Sequence, residues 1–368
     1  MQVCNCGSVR LEGTLPRKAD LFGIVENAMS VQNPPRGRRG RPPRDEIYRR
    51  LDYQIQELWE RMGGLPSPVE AAEIWRGIWF EEAHHSTAIE GNTLVLKQVE
   101  ALLAEGRAVG DKELREYMEV RGYADAAEWV YRQAIQPGAW SNAELLTLTE
   151  VRQVHRQTMT PVWDVAPHPS ANEHESPGNF RQHDIQPFPG GMAPVSWPVV
   201  EAEVRAWLAA VNELTPRTDD FPEAVAGLHS RFECIHPFLD GNGRTGRLIL
   251  NLLLVRLGYP PVIIYKRQRT DYLRALRRAD TGDPGSLGEL LARAILDNLY
   301  KFVVPAVAGP ARLVPLAALA TSQISADALR VAAFRGRLQA SRGPDGQWRS
   351  SRNWVDDYLG GRWQRDYP

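Results

Sequence analysis

Twelve consecutive residues, His236 to Arg247 (HPFLDGNGRTGR), bring together a histidine, an aspartate, three glycines, an asparagine and two arginines. Two familiar readings fail. Gly241, Gly243 and Gly246 spell G-x-G-x-x-G, but a helical pattern precedes them, and no acidic residue for a ribose occurs between Asp240 and Asp271. Gly241 and Gly246 also have Walker spacing, yet Arg247-Leu248 stands where Lys-Ser/Thr is required. The residue types still point to phosphate. Glycine and asparagine accept the positive φ that turns successive backbone N–H groups into an anion nest. The loop opens into an apolar helix whose N-terminus adds partial positive charge. Arg244 and Arg247, three apart, are expected to point the same way and clamp phosphates that are not transferred. Asp240 offers hard oxygen to Mg2+, and His236 is suited to accept a proton near neutral pH.

The same twelve residues resemble the Fic (Fido) motif HxFx(D/E)GNGRxxR at every specified position, and GYPPVII and YLRALRRADTGD downstream resemble the same family. The likeness covers roughly 44–310. It implies a mostly helical core that transfers the AMP moiety of ATP to a Ser, Thr or Tyr hydroxyl of a target protein. By resemblance His236 is the general base, Asp240 holds Mg2+, and Asn242 with the backbone of Gly241 and Gly243 cradles the α- and β-phosphates. Arg244 and Arg247 grip the tail phosphates, Gly246 completes the loop, Phe238 anchors it, and Tyr272 with Asp280 lines the nucleoside pocket. Asp280 departs from the amide expected there. Upstream, Ser86-Thr87-Ala88-Ile89-Glu90-Gly91 resembles the family's inhibitory motif (S/T)xxxE(G/N), on a helix expected at about 80–92. Alone, Ser and Glu at i, i+4 describe a polar helix face. Beside the loop they imply autoinhibition, with Glu90 neutralising Arg247; Glu90 is also placed to position a water for AMP removal. Residues 178–196 look like the family's β-hairpin flap, which clamps an extended target segment by strand addition.

The elements that must position these residues are helical. Apolar residues recur at three and four from Asp45 to about Gln136, then in a helix expected over 142–157, in 197–214, 223–238 and 245–259, and onward to Pro310. His84-His85 beside Glu81 and Glu82 is read as packing rather than a metal cluster, because adjacent residues face different sides of a helix. Cys234 is read as a small buried thiol. The fold class is therefore mainly α: a Fic-type helical domain with a small β-hairpin flap, plus a small C-terminal winged-helix-like domain. The expected boundaries are a basic, irregular tail over 1–43, a helical region with the inhibitory helix over 44–144, the Fic core over 145–310 and the C-terminal module over 313–368.

Composition narrows the partners. The chain has 368 residues, with Lys+Arg 44 against Asp+Glu 45 and 43% hydrophobic residues, an ordinary globular mixture with no global attraction to polyanions. Charge is uneven, however. Residues 34–50 hold seven arginines against two acids, and 313–368 hold eight against five. Arg39-Gly40-Arg41-Pro42 resembles an AT-hook, although a solvated Pro/Arg-rich linker accounts for the same composition. Three cysteines make no disulfide framework, and no apolar run of membrane-spanning length occurs, so a cytoplasmic location and no membrane partner are expected. The partners read from the sequence are ATP, a target protein, duplex DNA through the C-terminal module, and a second copy of the chain. The competing functions are AMP removal or another nucleotidyl or phosphoryl transfer on the same fold, and a DNA-binding regulator that senses nucleotide.

Overall fold

The computed structural model describes residues 42–361 except 70, 135, 139, 141–143 and 188–191. The AT-hook-like segment thus lies almost wholly outside the described residues. Residues from Arg44 onward form one compact unit. Its elements are α1 (Arg44–Met62), α2 (Ala72–Ile89), α3 (Leu96–Glu105), α4 (Leu114–Gln133), α5 (Leu148–Val165), α6 (Val200–Asn212), α7 (Phe221–Ile235), α8 (Asn242–Arg256), α9 (Arg269–Asp280) and α10 (Gly285–Asn298). A π-helical turn, Leu299–Val303, leads into the short α11 (Val304–Val307). Among the described residues no helix is long and apolar enough to cross a membrane.

Helix α8 explains the arrangement. Every residue from Leu248 to Arg256 is buried, so the helix is covered on all sides. It packs against α4, α5 and α7, with α2 also in contact. Its one basic residue at the far end, Arg256, is 2% exposed and donates to the Leu145 carbonyl at 2.7 Å and to Glu150 at 2.6 Å. Helix α5 begins at Leu148, not at residue 142, because Thr147 and Glu150 close a capping box there. It also runs through Pro161 to Val165, past the expected end at 157. The α4–α5 contact is close: a Cβ on Gly122 would come within 2.3 Å of the Thr158 carbonyl oxygen.

The C-terminal residues add β1 (Val314–Pro315), a 3-10 turn (Leu316–Leu319), α12 (Ala326–Phe334), β2 (Ser341–Arg342), β3 (Trp348–Ser350) and α13 (Arg352–Gly361). The antiparallel sheet has the order β1-β3-β2. The strand Val314–Pro315 is too short to show a periodicity in the sequence. Within the flap segment the described residues form no paired strand.

The sheet is bound to α1 through Arg349, whose guanidinium lies 2.6 Å from Glu57 and 3.4 Å from Asp345, all three side chains being at most 6% exposed. Glu57 supplies the strongest upward pull on the Arg349 pKa, against burial. Breaking a buried pair from one side leaves the other charge stranded. Arg349→Met is therefore expected to cost about 3–5 kcal/mol, read as a lower denaturation midpoint in urea at unchanged slope.

Candidate active site

His236 closes α7. Its backbone sits in the left-handed region (φ 50, ψ 60), which turns the chain out of the helix, and Gly241 (φ 76) turns it into α8. Between them, the loop is held from several directions. Phe238 is fully buried and stacks on the His155 ring at 3.7 Å between centroids. His155 Nδ1 accepts from the Gly178 amide at 2.8 Å, so its other nitrogen donates to the Asp240 carbonyl at 2.9 Å. Burial pushes His155 down to about 4, which keeps this prop neutral. Arg181 braces the other side. Its Nε donates to the His236 carbonyl at 2.8 Å, while its Nη atoms reach the carbonyls of His183 at 3.1 Å and of Val195. Both limbs of the flap segment are thereby tied to the backbone of His236.

The His236 ring is 9% exposed, and burial drives its pKa down to about 4. Its Nδ1 lies 3.1 Å from the Glu233 carbonyl, which can only accept. The proton therefore sits on Nδ1, and Nε2 keeps a lone pair. Asp240 is held as a carboxylate. Burial raises its pKa, but Arg244, the Gly241 amide and Arg115 outweigh that and leave it below its ordinary value. Arg244 lies 3.2 Å away and Arg115 3.5 Å. A single ionised, partly exposed carboxylate suits Mg2+, which takes one or two protein carboxylates and completes its shell with phosphates and water. Among the described residues no cluster could hold a metal by itself.

The remaining predicted residues divide. The Asn242 side chain is 1% exposed and folds inward, accepting from the Phe238 amide at 2.9 Å and donating to the Phe238 carbonyl at 2.8 Å. It staples the loop, so any part in a phosphate cradle falls to backbone groups. Gly246 is a packing residue, since a Cβ there would meet Glu233 Oε1 at 2.3 Å. The two arginines do not act as one clamp. Arg244 turns toward Asp240 and Glu119, leaving Nε and Nη1 without hydrogen-bond partners. Arg247 turns toward α2: Nε donates to Ser86 Oγ at 2.8 Å, and Nη2 to the Ser86 carbonyl at 3.1 Å and Glu90 Oε1 at 2.6 Å. Burial disfavours the charge on Arg247, and Glu90 with the Tyr272 and Tyr123 phenols more than offsets it. Glu90 follows the last residue of α2, and Gly91 (φ 110) ends the helix.

A cleft of about 370 Å3 opens beside these groups, lined by Glu90, Glu233, His236, Gly243, Arg247 and Tyr272, with Asp280 at its edge. That volume falls within the usual range for a small-molecule site. Gly243 matters here, because a Cβ would come within 2.5 Å of Glu90 Oε1 and 3.1 Å of Arg247. Tyr272 is 1% exposed, with its hydroxyl 2.7 Å from His229 Nε2. Asp280 accepts from Ser230 and, at 3.0 Å, from the Cys234 thiol. Glu233 is pushed up to about 8 by burial, with Arg247 opposing the shift and Glu90 and Asp280 adding to it, which favours its protonated form.

Sequence reasoning missed His155, Arg181 and Glu233, and took Glu82 only as a neighbour of the His84-His85 pair. Glu82 is 2% exposed and accepts from Tyr123 at 2.8 Å, Tyr131 at 2.5 Å and Asn251 at 2.8 Å. Burial pushes it up to about 7, against those three donors and the charge of Arg247. Between its ordinary 4.5 and about 7 the folded state holds a proton that the unfolded state has released. Folding stability is therefore lost as pH rises through that window, by about 3 kcal/mol. Glu82→Gln should flatten this component; melting curves at pH 5 and pH 7.5 that change equally in both proteins would contradict it.

Similarity to known proteins runs through the region that carries this site. The model of the Fic/DOC family matches residues 145–254. The chain carries a Fic/DOC domain. Among curated relatives, the protein adenylyltransferase Fic of Drosophila mojavensis is 33% identical over 251 residues, and that of Nematostella vectensis 31% over 240. Protein adenylyltransferase fic-1 of Caenorhabditis elegans is 29% identical over 237 residues. Each alignment covers about two thirds of this chain, at 64–65%, but the chain spans only 44–51% of those relatives. A solved fragment of the C. elegans protein superposes with TM-score 0.56 at 27% identity, over 70% of this chain and 71% of that one. A Fic family protein from Desulfovibrio desulfuricans shares the fold (TM-score 0.53, 22% identity) over 83% of this chain and 95% of its own. The match to the Fic domain extends to the end of α8 but for its last two residues, so it contains His236, Asp240, Arg244 and Arg247.

Proposed function

We propose that this chain is a protein adenylyltransferase whose Fic domain is held in a blocked state by Glu90. The observation that carries the reading is the Glu90–Arg247 contact of 2.6 Å within the cleft that His236 lines. In the reaction, His236 Nε2 takes the proton of a Ser, Thr or Tyr hydroxyl on the target. The hydroxyl oxygen bonds to the α-phosphorus of ATP, the bond from that phosphorus to the bridging oxygen breaks, and pyrophosphate leaves. Arg244 and Arg247 supply positive charge to the phosphates, and the amides opening α8 supply hydrogen bonds. Asp240 would hold Mg2+, which neutralises charge on the phosphates. With Glu90 on Arg247, one of the two guanidinium groups is occupied by a carboxylate that competes with phosphate. Tyr272, Asp280 and Glu233 border the space left for the nucleoside.

Labelled ATP tests this reading against its neighbours. With Glu90→Gly, label from α-phosphate should be retained on protein and label from γ-phosphate should not. Transfer of γ-label alone would make the chain a kinase, and release of AMP from pre-modified protein without transfer would make it an AMP-removing enzyme.

The strand order β1-β3-β2 beside α12 favours a second reading, duplex DNA as a partner of the C-terminal module. Exposed arginines on or just after α12, Arg330, Arg335 and Arg337, support it. Exposed Phe334 and Val331 on the same helix suit a protein surface better. If DNA is bound, affinity in the full chain should fall steeply with salt, and Arg330, Arg335 and Arg337→Ala together should lower the salt slope by about 3. No duplex binding at low salt would remove DNA from the account.

A further inference from the structure

Glu82 lies two helical turns before Glu90 on α2, outside the cleft, and no step of the transfer uses it. Buried carboxyl groups are ordinarily paired with a cation. All three hydrogen bonds to Glu82 come instead from neutral donors: the hydroxyls of Tyr123 and Tyr131 on α4 and the amide of Asn251 on α8. Asn251 is itself fixed, accepting from the Val262 amide at 2.8 Å and donating to the Val262 carbonyl at 3.0 Å.

The spacing along the two helices is regular. On α2, residues 82, 86 and 90 lie on one face at steps of four; on α8, residues 251, 247 and 243 do the same in the opposite direction. Glu82 meets Asn251, Ser86 meets Arg247, and Glu90 meets Arg247 beside the space that Gly243 leaves open. The polar contacts form a ladder in which a slip of α2 by one turn would break every rung. The Glu82 rung is remote from the groups that phosphate would displace, and it joins α2 to both α4 and α8.

We infer that Glu82 is a positioning residue that sets the inhibitory helix in register on α8, so that the strength of the block is fixed two turns away from the cleft. This rests on the reading of Glu90 as inhibitor. It predicts that the block weakens when Glu82 loses its donors, even though Glu90 and Arg247 are intact.

The test uses the full chain with Glu82→Leu, Glu82→Gln and Tyr131→Phe, each with and without Glu90→Gly. AMP incorporation from ATP and hydrogen exchange of the α2 amides are measured side by side. Glu82→Leu is expected to raise incorporation about tenfold and to speed exchange in α2, with Tyr131→Phe following in the same direction. Glu82→Gln keeps the acceptor and should stay within about threefold of wild type. Glu82→Leu on the Glu90→Gly background should add nothing, because the inhibitor is already gone.

A folded Glu82→Leu as blocked as wild type, or one that adds its full effect to Glu90→Gly, would overturn the inference. Should Glu82→Leu not fold, Tyr131→Phe decides, and wild-type incorporation with wild-type exchange in α2 would overturn it. Failure of the underlying reading looks different: Glu90→Gly itself would then give no rise, while exchange in α2 would still report on Glu82.

Discussion

Glu90→Gly is expected to raise AMP transfer by about one to two orders of magnitude. The carboxylate it removes lies 2.6 Å from Arg247 and fills the space above Gly243. Arg247 itself should stay in place, because Ser86 keeps two of its three hydrogen bonds. The backbone at residue 90 is ordinary (φ -83, ψ 0), and Gly91 already ends the helix, so glycine there asks for no rearrangement. The gain should appear mainly in the rate at saturating ATP, since a competing carboxylate misdirects a bound triphosphate more than it excludes it. The melting temperature should change little, because the Glu90 side chain is 35% exposed. Initial rates across an ATP series decide the matter; a rate at saturating ATP equal to that of wild type would contradict the block.

His236→Ala, made in the activated Glu90→Gly background, should lower transfer by about a thousandfold while ATP affinity stays within about threefold. The substitution removes the lone pair on Nε2 and the Nδ1 contact to the Glu233 carbonyl, and leaves the phosphate-facing arginines untouched. The loop should survive, since it is pinned by Asn242, His155 and Arg181. His236→Asn is the sharper control, because asparagine tolerates the left-handed backbone at this position. The pH profile carries a second signature. Burial holds His236 at about 4, so the base form persists well below neutrality and transfer should fall only as pH drops toward that value. Calorimetric titration with a non-hydrolysable ATP analogue separates lost chemistry from lost binding.

Legibility followed distance along the chain. The phosphate loop was readable because its chemistry sits within twelve residues, and the covered helix after it was readable from its unbroken apolar run. The Glu90–Arg247 pair spans 157 residues and was reached only through a resemblance to a family motif. Where local chemistry was read past its reach, the structure differs. Arg244 and Arg247 share a helix turn but serve different partners, and the Asn242 side chain closes the loop on itself. The roles of His155, Arg181 and Glu82 were invisible for a common reason: each is an ordinary residue in a helical or irregular stretch until its partners arrive from 85, 55 and 41 positions away. The start of α5 was an avoidable miss, since Thr147 and Glu150 spell a capping box.

The most direct test of an adenylyltransferase blocked by Glu90 is the intact mass of three purified proteins after incubation with ATP and Mg2+. They are wild type, Glu90→Gly, and Glu90→Gly with His236→Ala. The account predicts a gain of one AMP on Glu90→Gly, little or none on wild type, and none on the double variant. Equal AMP addition to all three, or to wild type and Glu90→Gly alike, would contradict it.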